Sequence, residues 1–82
     1  MQETIDYIEG KVMPLVYKAT FWKDRSINLY SNFRYDIGFD SLDFIGFIIE
    51  VEKEFGVHIT DEEREDIKTP EDLINLVFEK TR

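Results

Sequence analysis

Few side chains in this chain are suited to chemistry. There is a single histidine, His58, no cysteine, and a set of carboxylates placed mostly from residue 36 onward. A nucleophile relay would need Ser41, His58 and an aspartate together with an oxyanion hole and a cleft. A chain of 82 residues has little volume for such a cleft, and it has no second histidine to shuttle protons. His58, between Val57 and Ile59, reads as a structural or half-exposed residue of a link. Metal sites need clustered His and Cys, or oxygen ligands at the alternating positions of a calcium loop. Asp36, Asp40 and Asp43 do not keep that spacing, and the acids from Asp61 to Asp66 read as a solvated face. No functional metal is therefore expected. The absence of cysteine excludes thiolate ligands, disulfides and a cysteine nucleophile, and no glycine-rich phosphate loop is present. Ser41 remains. It stands at the start of an expected helix, where free backbone N–H groups and the helix dipole favour an anion, so a phosphate ester on its hydroxyl would sit in a favourable field. Taken alone, Asp40-Ser41 ahead of a helix is only a capping signal.

The elements that would position Ser41 read as helix, long loop, helix, short turn, helix. Ile5, Ile8, Val12, Leu15, Val16 and Ala19 recur at helical spacing over residues 2–19. Pro14 would clash with the carbonyl of Gly10, which predicts a kink or break between them. Residues 20–40 follow no single period. Their aromatic content predicts a loop that packs down on the helices, with one short helical turn, and Gly38 is expected in a backbone conformation other residues avoid. Residues 41–55 form the clearest helix, capped by Asp40 or Ser41, with Asp43 in its first turn and Gly56 as its stop. Thr60 and Glu63 fit a capping box over a short acidic turn. Thr69, Pro70, Glu71 and Asp72 open a last helix with Leu73, Ile74, Val77 and Phe78 as its core face, and with Lys80 and Arg82 at its negative end. No segment alternates as a strand does. The expected class is all-α, a small bundle of three main helices with a short fourth and a long loop between the first two main ones.

The 41–55 helix carries two apolar faces. At about 100° per residue, Phe44, Phe47, Ile48, Val51 and Phe55 share the sector assigned to the core. Asp43, Glu50 and Glu54 form a solvated sector. Leu42, Ile45 and Ile49 form a third, centred roughly 120° from the core sector. A helix buried on one side does not need that third stripe. It packs against the loop or the short helix, or it is an exposed patch for a partner, and the two are compatible in part. Gly46 in mid-helix costs about 1 kcal/mol relative to alanine.

Composition bounds the rest. The length predicts one domain spanning residues 1–82, with a thin core. A net charge of −8 argues against nucleic acid and against anionic membranes, and favours partners with basic patches. Apolar stretches are far short of the ~20 residues a spanning helix needs. The acidic N-terminus carries no basic region ahead of an apolar run, so a cytoplasmic chain is expected.

Asp36-Ile37-Gly38-Phe39-Asp40-Ser41-Leu42, followed by a helix and then by Glu52-Lys53-Glu54-Phe55-Gly56-Val57-His58-Ile59-Thr60-Asp61-Glu62-Glu63, resembles the acyl carrier protein family. The family pattern Asp-Leu-Gly-x-Asp-Ser-Leu places its modified serine at Ser41, with Ile37 in place of Leu. Thr69-Pro70-Glu71-Asp72-Leu73 also matches, and Phe33 falls at an apolar anchor of the family's long loop. The resemblance covers residues 27–80 well and the first helix only by pattern. It implies a non-catalytic carrier, a shuttle that works most simply as a monomer. A phosphopantetheinyl transferase would move 4'-phosphopantetheine from coenzyme A to Ser41, and the arm's thiol would hold acyl groups as thioesters. Acyl-processing enzymes with basic docking patches would meet Asp40, Asp43, Glu52 and Glu54 as acidic contacts and Leu42, Ile45 and Ile49 as apolar ones. A sheltering cavity would lie near Phe47, Val51 and Phe55. Gly46 stands where many fatty-acid carriers have Glu, Lys53 interrupts the acidic run, and Lys23, Arg25 and Arg34 put positive charge into the loop. A fatty-acid role and a specialised lipid or polyketide role both fit. An aminoacyl, peptidyl or D-alanyl carrier shares the serine but differs in cargo; an unmodified helical interaction domain would keep only the apolar stripe.

Overall fold

The computed structural model describes residues 4–20 and 26–82. It contains four helices, α1 (Ile5–Ala19), α2 (Ser41–Phe55), α3 (Asp61–Glu65) and α4 (Pro70–Thr81), and no strand among the described residues. The all-α reading, with three main helices and one short one, describes it.

Local sequence sets the helix boundaries. Thr4 caps α1 by accepting the Tyr7 N–H at 3.1 Å. Asp40, Thr60 and Thr69 each form a reciprocal capping box, with Asp43, Glu63 and Asp72 respectively. Each box satisfies donors that a helix start otherwise leaves free. Gly56, at φ 65°, ends α2 in the left-handed conformation that glycine adopts without a steric penalty, and its N–H donates to the Glu52 carbonyl at 2.8 Å.

Of the kink or break expected between Gly10 and Pro14, the break does not occur: α1 is one helix that runs through Pro14. Both residues lie on its exposed side, where water can solvate the carbonyl that proline leaves unpaired. On the opposite face Ile8, Val12 and Val16 are fully buried. Interior proline costs about 3 kcal/mol, and each fully buried aliphatic side chain returns about 1.5–3 kcal/mol, so the packed face decides.

α1 packs against both α2 and α4. Around it the core collects Phe47, Ile48 and Val51 from α2 and Leu73, Ile74 and Val77 from α4. The described part of the loop adds Ile27, Phe33, Ile37 and Phe39, all buried. That loop is tied on three sides. The Tyr17 hydroxyl donates to the Ile27 carbonyl at 2.8 Å. The Phe33 N–H donates to the Lys68 carbonyl at 2.9 Å, and the Glu71 N–H to the Leu29 carbonyl at 3.0 Å. The expected helical turn is present as a tight turn in which the N–H groups of Asp36 and Ile37 both donate to the Asn32 carbonyl at 2.9 Å. Gly38 follows it at φ 89°, as its position predicts.

Candidate functional site

Ser41 is the first residue of α2, and it is exposed. Its position is set from both sides. Upstream, the Asn32 side chain accepts the N–H groups of Arg34 and Tyr35 at 2.9 Å each, and the Asn32 N–H donates to Asp36 Oδ2 at 2.7 Å. This knot ends at Gly38, and Phe39 then drops into the core with its N–H on the Phe33 carbonyl at 2.9 Å. Downstream, Asp40 Oδ1 accepts the Asp43 N–H at 2.8 Å, while Asp43 Oδ2 accepts the Asp40 N–H at 3.2 Å. The cap is thus Asp40, and the Ser41 hydroxyl is left outside it. No acceptor among the described residues reaches the N–H groups of Ser41 and Leu42. A hydroxyl at the N-terminus of a 15-residue helix, beside unpaired N–H donors, suits a phosphate ester in geometry and in field.

An open groove of about 960 Å³ borders Ser41. Asp40, Phe44 and Ile45 form its α2 side, residues 32–35 and Phe39 its loop side, and Arg64, Glu65, Asp66, Ile67 and Lys68 its far side. Of its cations, Arg64 pairs with Asp61 at 3.0 Å, and Lys68 Nζ donates to the Glu65 carbonyl at 2.7 Å.

The third stripe of α2 does not pack away. Leu42 is 79% exposed, Ile45 37% and Ile49 43%, so these three lie together on the open side of α2. Gly46 lies among them with nothing within 4 Å of where a Cβ would stand. The acidic residues expected to flank the stripe are divided. Asp40 and Asp43 are at its N-terminal end, engaged in the capping box but exposed, and Glu54 is exposed near its C-terminal end. Glu52 is turned back toward the link: its Oε2 accepts the Ile59 N–H at 2.8 Å and lies 3.2 Å from His58 Nδ1. His58 itself is 83% exposed in its side chain. Arg34 is exposed on the loop, whereas Lys23 and Arg25 lie outside the described residues.

Phe47 and Val51, expected to line a cavity, are 3% and 0% exposed within the packed core, with Phe55 half-buried against it. The space next to Ser41 is instead the groove on the other side of the Phe33, Phe39 and Phe44 rings. The Asn32–Asp36 knot that orients the approach to Ser41 was not read from the sequence, although an Asx residue ahead of a glycine was its signal.

The chain is similar to known proteins across most of its length. A family described as the phosphopantetheine attachment site matches residues 19–77. An acyl carrier protein of Rickettsia bellii is 39% identical over 75 residues, covering 92% of this chain and 87% of that protein. One from Chloroherpeton thalassium is 35% identical over 79 residues, covering 96% of this chain and 99% of that protein. Among solved structures, a Toxoplasma mitochondrial acyl carrier protein superposes with a TM-score of 0.81 at 22% identity, covering 93% of this chain and 89% of its own, a likeness of fold. A putative acyl carrier protein from Mycobacterium tuberculosis superposes with a TM-score of 0.74 at 29% identity, covering 83% of this chain and 90% of its own.

Proposed function

Because the chain belongs to the acyl carrier protein family, whose members are non-catalytic carriers of a covalent 4'-phosphopantetheine group, we propose that Ser41 bears that arm and that residues 1–82 act as one carrier domain. The observation that carries this reading is the placement of Ser41: exposed, at the first position of α2, outside the capping box and beside the groove. The arm supplies the thiol on which acyl groups travel as thioesters, which accounts for thiol chemistry in a chain without cysteine. The protein's own part is to present and orient. The Asp40–Asp43 box fixes the first turn of α2, so the Ser41 Cα–Cβ bond has a set direction. The free N–H groups of Ser41 and Leu42 offset the repulsion that Asp40 and Asp43 exert on a phosphodiester anion.

Leu42, Ile45 and Ile49, with Asp40, Asp43 and Glu54, form the surface offered to a phosphopantetheinyl transferase and to acyl-processing enzymes with basic patches. An acidic chain docks to such patches quickly and releases them quickly, which suits a carrier that serves several enzymes. Glu52, held by the Ile59 N–H and beside His58, acts mainly in shaping the turn after α2. The cargo is acyl, in fatty-acid or in specialised lipid or polyketide synthesis, and the working form is a cytoplasmic monomer. No helix of the described residues is long and apolar enough to cross a membrane.

The test is intact mass after incubation with coenzyme A and a broad-specificity phosphopantetheinyl transferase, with Ser41→Ala alongside. A gain of one phosphopantetheine on the wild type alone is expected. Failure to gain mass, with a transferase that modifies a control carrier, would overturn the reading.

A further inference from the structure

Rings fill the interior beneath the start of α2. The Phe33 centroid lies 5.2 Å from that of Phe44, 5.4 Å from Phe47 and 5.7 Å from Phe39. Phe39 and Phe47 are 5.5 Å apart. These are the separations of aromatic rings in direct contact, and they leave no passage for an alkyl chain between them. Phe33, Phe39 and Phe47 are at most 5% exposed, and only Phe44 reaches partly to the surface. Deeper in the core, Val12, Val51, Leu73 and Val77 are each 0% exposed. A tail entering the core from Ser41 would have to move Phe44 and then Phe33 or Phe47. Phe33 is also held by its backbone: its N–H is on the Lys68 carbonyl, and its own carbonyl accepts the Phe39 N–H. Space is available on the near side of this wall. The groove beside Ser41 has Phe39, Phe44 and Ile45 on its apolar side, and a polar side of mixed charge in which Asn32, Arg34 and Lys68 stand with Glu65 and Asp66.

We propose that this carrier holds its cargo in the groove, outside the ring wall, and that the wall suits it to short or polar acyl groups rather than long aliphatic ones. The inference rests on the reading of Ser41 as the attachment residue. A long tail in the open groove keeps much of its surface in water, so it gains little of the stabilisation that burial gives. A short acyl group is covered by the apolar side, and a neutral hydroxyl on it meets the mixed polar side at Asn32 or Arg34.

The chain is loaded with acetyl, hexanoyl and dodecanoyl arms from the corresponding acyl-coenzyme A by a broad-specificity transferase, and loading is read by intact mass. Failure to load counts against the attachment reading and leaves the wall to the xenon measurement described below. Across the three loaded forms the melting temperature is expected to stay within about 2 °C, and the methyl resonances of Val12, Val51, Leu73 and Val77 are expected not to move. A dodecanoyl tail taken into the core would raise the melting temperature by ~10 °C or more and shift those methyls, which would overturn the proposal. Phe44→Ala removes the partly exposed ring and is expected to make melting temperature rise with chain length. A flat response in Phe44→Ala as well would show that the rings are not what excludes the tail, and would equally overturn it. In the apo protein, xenon under pressure is expected to shift the core methyls in Phe44→Ala and in Phe33→Leu but not in the wild type. Equal shifts in the wild type would show a core already open.

Discussion

Ser41 and its neighbours separate two properties that a single position often combines. The hydroxyl offered for modification is not the helix cap, because Asp40 takes that role. Ser41→Ala is therefore expected to abolish mass gain while leaving the unfolding midpoint within about 0.5 kcal/mol of wild type. Asp40→Ala is expected to destabilise by about 1 kcal/mol while keeping the hydroxyl. Urea titration of the two variants beside intact mass separates the effects. Phe33 is the loop residue with most to lose: it is 3% exposed and touches three other rings. Phe33→Ala is expected to cost about 3–5 kcal/mol by the same titration, a large share of the stability of so small a domain. At this scale the sequence was informative where chemistry is local. The caps at Asp40, Thr60 and Thr69, the stop at Gly56 and the backbone of Gly38 all follow from a residue and its near neighbours. The orientation of Glu52 was not legible, because its partners, Ile59 and His58, depend on how the chain turns after α2.

At the scale of elements, α2 has to serve the core on one side and solvent on the other. Gly46 lies on the solvent side with open space around it. Gly46→Ala is expected to stabilise by about 0.5–1 kcal/mol, measured by thermal melting, since a helix-interior glycine carries a backbone entropy cost and nothing here obstructs a methyl group. α3 is short and owes its place to its ends. Glu63 accepts the Thr60 N–H at 2.9 Å and pairs with Lys80 of α4 at 2.9 Å. The backbone hydrogen bond from Thr60, then the Lys80 hydrogen bond, lower the Glu63 pKa from its ordinary 4.5. A lowered folded-state pKa means that this contribution is present above the ordinary value and is lost as pH falls through the lowered one. Denaturation midpoints followed downward from neutral pH should therefore fall less in Glu63→Gln than in wild type over that acid range. The contribution is small because the pair is solvent-screened. Helix periodicity made α2 and α4 legible. Pro14 misled because its penalty is local, whereas the packing of Ile8, Val12 and Val16 that overrides it comes from α2 and α4. Of the loop's described aromatics, Phe33 and Phe39 pack down as expected whereas Tyr30 and Tyr35 are exposed, and the loop's ties to Lys68 and Leu29 join segments far apart in sequence.

For the whole molecule the deciding quantity is a net charge of −8. Association with a basic partner is steered by this field, and salt shortens its reach from about 10 Å at 0.1 M to about 3 Å at 1 M. The on-rate for a phosphopantetheinyl transferase, followed by stopped flow, is expected to drop about tenfold over that range, while the off-rate changes less. Leu42→Ala should act oppositely: at 79% exposure it leaves folding stability unchanged within about 0.5 kcal/mol and raises the off-rate.

The position of α1 bears on the order in which the chain can be assembled. α1 precedes α2 and α4 in the chain and packs against both, yet α4 ends only at Thr81. At about 5–20 residues per second, translation from Ala19 to Thr81 takes roughly 3–12 s. Throughout that interval the Val12 and Val16 face lacks the covering that α4 provides, so a nascent chain of this kind presents α1 to chaperones before its fold can close.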